Sequence, residues 1–174
     1  MKLRMQITKD KDIRFISHLE YVRTIGRAIR VLAADAVDTH HAALMSQAAG
    51  ASYRVTLPYS KDVSAAVAEF NAAPELLFKK AAPKTKAKFK EIDVKFYIPQ
   101  LTAEQTEKET IFSFDCKITP TGSMKAVDLL NALNEQYGLA LPVEMADIER
   151  LRLYRNNKNG KPIPMLNSDA VTLG

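Results

Sequence analysis

Along this chain the apolar positions switch between a period of two and a period near 3.6, and each switch marks an element. From Lys2 to Thr8, Leu3, Met5 and Ile7 alternate with polar residues, the pattern of a half-buried strand. Lys9 to Asp12 make a polar turn, and Ile13 to Ile16 resume extended structure. At Ser17 the period lengthens. Leu19, Val22, Ile25, Gly26 and Ile29 recur at helical spacing, and Ser17 followed by Glu20 has the form of a capping box. A helix is therefore predicted from Ser17 to Arg30. It has no Gly, Asn or Pro to stop it, yet Val31 to Val37 reads as a strand. Strand then helix is the first half of a ferredoxin-like unit, and too little chain follows to complete it.

The remainder has clearer punctuation. Asp38 to Gly50 reads as a linker with one helical turn, and Tyr53 to Pro58 as a strand. Lys61 to Ala73 is a predicted helix with Val63, Ala66, Val67 and Phe70 on one face and Pro74 beyond it. Two strands, starting at Leu76 and running from Ile92 to Ile98, flank the lysine-rich stretch Lys79–Lys90 and predict a hairpin. Leu101 to Glu109 reads as a polar, acidic connection. In Ile111–Ile118, Phe112, Phe114 and Cys116 share one face of a strand while Ser113, Asp115 and Lys117 share the other. Met124, Val127, Leu130, Leu133 and Tyr137 mark a helix stopped by Gly138; Ile148 to Tyr154 is the closing strand, followed by a turn at Asn157–Gly160. The predicted class is α+β, built of ferredoxin-like β-α-β-β-α-β units with antiparallel sheets, the first unit incomplete. Residues 1–38 form that partial unit, 39–50 the linker, 51–160 the second unit, and 161–174 a flexible tail.

The run RFISHLEYVRTIGRAIR, residues 14–30, resembles the opening signature of the radical-SAM-linked protein family. That domain is uncharacterised and is found fused to, or encoded beside, cobalamin-binding radical SAM proteins. YRVTLPYS, KEIDVKFYI, the Thr121-Gly122 turn with its helix, and RLRLYRN resemble further blocks of the same family. The resemblance implies two ferredoxin-like units and a segment after Arg30 that this chain lacks. That gap is either a natural internal deletion or an omission from the sequence, and the absent helix stop favours omission. As a partner, the resemblance implies a radical SAM protein acting on RNA or on a translation component.

Composition narrows the chemistry. The 174 residues carry 25 Lys and Arg against 20 Asp and Glu, a formal charge of +5 that is compatible with a polyanionic partner. Cys116 stands alone, which excludes a disulfide framework and the three-cysteine loop of an iron–sulfur cluster, so this chain is not itself a radical SAM enzyme. No apolar run reaches membrane-span length and no signal-peptide core opens the chain, which predicts a cytoplasmic protein. No cofactor is predicted. Adjacent His40 and His41 cannot converge on one metal from a regular element, and no third ligand lies near them in sequence, so no metal site is predicted either.

Three basic sets suit phosphate contacts: Arg14, Arg23, Arg27 and Arg30 along the first helix; Lys79, Lys80, Lys84, Lys86, Lys88 and Lys90 at the hairpin; and Arg150, Arg152 and Arg155 on the last strand. Phe89 and Tyr97 would stack on bases if exposed. The plainer alternatives are intramolecular ion pairs for the arginines and edge protection for the lysines. His18, in a first helical turn that favours the neutral imidazole, is the one candidate general base. The expected function is a non-catalytic module binding RNA or an RNA-containing assembly. The alternatives are a metal-independent endoribonuclease using His18, and a protein–protein adaptor.

Overall fold

In the computed structural model, which describes residues 2–9, 29–37, 44–81, 89–165 and 171–172, these patterns become an α+β architecture with antiparallel sheets. In chain order the elements are β1 (Lys2–Lys9), β2 (Ile29–Val37), a 3-10 turn (Leu44–Gln47), β3 (Ala48–Pro58), α1 (Ser64–Ala72), β4 (Leu77–Ala81) and β5 (Phe89–Asp93). A single helical turn (Val94–Tyr97) follows, then β6 (Leu101–Gln105), β7 (Glu109–Thr119), β8 (Gly122–Ser123) and α2 (Ala126–Tyr137). A second 3-10 turn (Val143–Met145) precedes β9 (Asp147–Asn156), β10 (Pro162–Pro164) and β11 (Val171–Thr172). The chain divides into two units, Met1–Gln47 with Pro164–Gly174, and Ala48–Ile163.

The first unit contains a three-stranded sheet of order β1-β2-β11. Lys2 pairs with Val37 and Lys9 with Ile29, and a one-residue irregularity falls between Gln6 and Ile7. Ile29 and Arg30 thus belong to a strand, not to the end of a helix. β-branched Ile29 and Val31 favour extended structure, and they pair with Lys9 and Ile7 respectively. The helix expected from Ser17, with its apolar stripe, lies outside the described residues.

The second unit has the expected ferredoxin-like connectivity, with β3-α1-β6-β7-α2-β9 as its β-α-β-β-α-β path. Its sheet order is β9-β3-β7-β6, extended by β10 beside β9. Alternation sets the faces. Val55 and Leu57 of β3 and Phe112, Phe114 and Cys116 of β7 point to the helical side, where they meet Phe70 of α1 and Leu129, Leu130 and Leu133 of α2 in one buried core. Val127 departs from expectation: it is 38% exposed, because the buried stripe of α2 runs through Ala126, Leu129, Leu130 and Leu133, one position round the helix.

Three boundaries differ from the sequence pattern. β3 begins at Ala48, inside the expected linker. Its small residues give no hydrophobic alternation, but strands on both sides pair with it, and a Cβ on Gly50 would lie 3.2 Å from the Cys116 carbonyl oxygen. The expected strand through Ile98 ends at Asp93, whose Oδ1 accepts from the Lys95 amide at 2.9 Å and starts a helical turn. Leu101–Glu109 is not a mere connection. It supplies the edge strand β6 and a turn into β7 in which Glu109 and Lys108 amides donate to Thr106 Oγ1.

Each helix ends its crossover with the same device. Asn71 on α1 donates from Nδ2 to the Leu101 carbonyl at 2.8 Å and accepts from the Leu101 amide at 2.9 Å. Asn134 on α2 does likewise with Leu141, at 3.0 and 2.7 Å. The amide side chain thereby imitates a strand neighbour and pairs a backbone donor and acceptor that the sheet leaves open.

Candidate nucleic-acid interface

Between α1 and β6 the ferredoxin-like path is interrupted by an inserted arm, the two-stranded sheet β4-β5. Its base is clasped by backbone and carboxylate together. The Val94 amide donates to the Leu76 carbonyl at 2.8 Å, and Asp93 Oδ1 accepts from the Leu76 amide at 3.1 Å as well as from Lys95. The pairing register, Leu77 with Asp93, Lys79 with Glu91, Lys80 with Lys90 and Ala81 with Phe89, separates two faces. Phe78 and Ile92 on one face are buried in the core, and Lys80 and Lys90 continue that face beyond it. Leu77, Lys79, Phe89 and Glu91 belong to the other face and are exposed.

The lysines are not equivalent. Lys80 Nζ lies 2.6 Å from Asp128 Oδ2, and the same carboxylate oxygen accepts from the Lys125 amide at the start of α2. Lys80 therefore ties the arm to a helix end, while Lys79 and Lys90 stay exposed. Lys84, Lys86 and Lys88 lie outside the described residues. Over residues 44–81 and 89–165, basic and acidic side chains are equal in number. The positive excess of the chain thus comes from the N-terminal segment and from Lys84, Lys86 and Lys88.

The arginines of β9 are divided rather than gathered. Arg150 pairs with Tyr53 and Arg152 with Ser52, so one extra residue, Leu151, sits between consecutive pairs. Such a bulge breaks the simple alternation that would place Arg150 and Arg152 on one face. Arg155, opposite Ala48, is partly buried. The sheet surface away from the helices is itself charge-balanced. Arg152, Ser52 and Asp115 form one cross-strand row, and Glu149, Arg54 and Ser113 the next. Ser52 Oγ donates to Asp115 Oδ1 and takes the Tyr154 hydroxyl, 2.7 Å away, as its donor. Arg30, in β2, pairs with Thr8 of β1. His18, Arg14, Arg23, Arg27, His40 and His41 lie outside the described residues.

Compared with known families, residues 2–33 and 29–129 match the family described as "Uncharacterized protein conserved in bacteria (DUF2344)". The chain belongs to this family. The two DUF2344 matches overlap at residues 29–33, at the start of β2. No curated protein and no solved structure matches the chain. The DUF2344 match takes in the whole arm and the core strands β3, β6 and β7.

Two aromatic expectations separate on this DUF2344 scaffold. Phe89 is 60% exposed, whereas Tyr97 is 9% exposed and cannot stack on a base, because the helical turn after Asp93 rotates it into the core. Phe96, the exposed ring of that turn, has Lys117 Nζ 5.2 Å from its centroid. Hydrophobic alternation could not reveal this exchange, since Asp93 ends the strand through its side chain. A shallow groove between the start of α1 and the end of α2 is lined by Lys61, Asp62, Glu69, Gln136 and Tyr137. Lys61 Nζ donates to the Gly138 carbonyl at 2.7 Å there, and burial with nearby Glu69 pushes the Tyr137 phenol above its usual range. Among the described residues, no cluster of His, Cys, Asp and Glu is placed to hold a metal ion, and no helix is long and apolar enough to cross a membrane.

Cys116 is buried, and burial pushes its thiol above the ordinary value, against the weaker opposing effects of a backbone hydrogen bond at Met124 and the charge of Lys80. Because the folded value is raised, the neutral thiol favours the folded state below the ordinary value and loses that contribution as pH climbs through the raised one. At pH 8 the native chain is expected to react with a thiol reagent at least ~100-fold more slowly than the denatured chain, as for a core site reached only by opening. Equal rates would place Cys116 at the surface.

Proposed function

We propose that this chain is a non-catalytic RNA-binding module whose principal contact surface is the β4-β5 arm. It would work with a radical SAM protein on RNA or a translation component. The observation that carries the RNA reading is the arm itself. It is an insertion beside an otherwise charge-balanced sheet and carries exposed Lys79, Lys90 and an exposed aromatic ring. The sequence between its strands adds Lys84, Lys86 and Lys88 with no acid. Exposed ammonium groups meet phosphates without reading bases, and such binding weakens as counterions are returned by added salt. Arg152 and Arg54 contribute less in this reading, because Asp115 and Glu149 share their rows. The radical SAM partner is supported by the resemblance of residues 14–30 and by the lack of a cluster-binding cysteine set in this chain.

Titration of the full chain against labelled RNA is expected to give roughly micromolar affinity at low salt, falling steeply as salt is raised. Absence of binding at low salt would replace this reading with that of a protein adaptor. Cleavage of the RNA that disappears in His18→Ala would replace it with an endoribonuclease. The partner half is tested separately, by co-purification with the radical SAM protein encoded nearest to it.

A further inference from the structure

We infer that the arm takes single-stranded rather than duplex RNA, with an unpaired base stacked on Phe89. This rests on the RNA-binding reading above and adds the class of ligand. Phe89 begins the described part of β5 and is 60% exposed. Its cross-strand partner is Ala81. Phe78 and Ile92 already anchor the arm from the opposite face, so the ring is not needed to hold it in place. Nor does solubility account for it. Lysines on a free strand discourage edge-to-edge pairing, but an exposed phenylalanine beside them does the reverse.

The charges around the ring are arranged for a strand that passes it. In sequence Phe89 lies between Lys88 and Lys90, and on its own face Lys79 stands one pair closer to the arm's base. Glu91 faces Lys79 across that pair and offsets it, Lys90 lies on the opposite face, and in sequence Lys84, Lys86 and Lys88 precede the ring with no acid among them. A phosphate backbone is thus drawn to the end of the arm where the aromatic surface lies. In a duplex, base faces are covered by their neighbours and offer nothing to a phenyl ring. In a single strand they are open, and stacking is tolerant of sequence because every base has such a face. Lysines alone would serve either form; lysines interleaved with an uncovered ring favour the unpaired one.

The test uses the full chain and fluorescence anisotropy with two probes. One is a mixed-sequence single-stranded RNA without self-complementarity, and the other a blunt RNA duplex with the same number of phosphates. The wild-type chain is expected to prefer the single strand. Phe89→Ala should weaken single-strand binding by about five- to a hundred-fold while leaving its salt dependence unchanged. Duplex binding should change little, and Phe89→Tyr should keep single-strand affinity. If both RNAs bind equally and Phe89→Ala affects neither, base stacking is overturned while the electrostatic reading survives. Binding to neither RNA overturns both. Phe89-dependent binding to phosphatidylserine vesicles without RNA binding would also overturn both, and would assign the ring to a lipid surface.

Discussion

Exchange of Lys79, Lys84, Lys86, Lys88 and Lys90 together for glutamine is expected to lower affinity for single-stranded RNA by roughly a thousand-fold at 0.1 M salt. The magnitude follows from counterion release, since each single-strand phosphate contact contributes about 0.7 to the slope of log affinity against log salt. Five lost contacts should therefore flatten that slope by roughly three to four units. Lys80 is left in place because its partner is Asp128, at 2.6 Å, and its loss would loosen the arm rather than remove a phosphate contact. Lys79 and Lys90 are exposed, and glutamine keeps a polar side chain at all five positions, so the thermal midpoint should stay near the wild-type value. Full affinity in the folded quintuple variant would move the phosphate surface off the arm, to Arg152 or to the N-terminal arginines. Replacing the same five positions by arginine should restore binding.

Legibility differs between core and arm for a physical reason. Phe112, Phe114 and Cys116 could be assigned to one face from sequence because β7 has the core on one side and a polar surface on the other. Burial on one face writes a period of two into the chain. β6 was missed because an edge strand with exposed Thr102 and Glu104 has little apolar signal, and because Asn71, thirty positions away, helps fix its start. Val94 and Phe96 misled in the opposite direction. Their alternation suits a strand, but a carboxylate cap at Asp93 costs nothing in hydrophobic pattern and redirects the chain. The division of Arg150 from Arg152 depends on a single unpaired Leu151, and no local composition announces a bulge whose cause is the register of the neighbouring strand. By contrast, a hairpin around the lysine stretch was legible, but its second strand runs over Phe89–Asp93 rather than Ile92–Ile98, and the exposure of the Phe89 ring required coordinates.

The two asparagine clasps predict the largest loss of stability from conservative surface-sized changes. The path β3-α1-β6 and the path β7-α2-β9 are two β-α-β halves, and in each the helix sends one asparagine to the backbone of a leucine near the next strand. Leu101 is fully buried and Leu141 is 4% exposed, so the amide and carbonyl held by each asparagine have little access to water. Truncating Asn71 to alanine leaves one donor and one acceptor unpaired, a cost of about 2–4 kcal/mol if each orphan group forfeits roughly 1–2 kcal/mol. Asn134→Ala should cost a similar amount at Leu141. The two sites share no partner, so Asn71→Ala/Asn134→Ala should lose approximately the sum, about 4–8 kcal/mol, which rivals the whole stability of a small domain. Urea unfolding of the single variants should therefore show lowered midpoints with an unchanged slope, and the double variant should be largely unfolded without denaturant. Asn71→Asp separates hydrogen bonding from size. It keeps an acceptor for the Leu101 amide but sets a carboxylate oxygen against the Leu101 carbonyl, so it should be no better than alanine. A double variant with wild-type stability would mean that water replaces both clasps, and that the helices hold their strands through the apolar core alone.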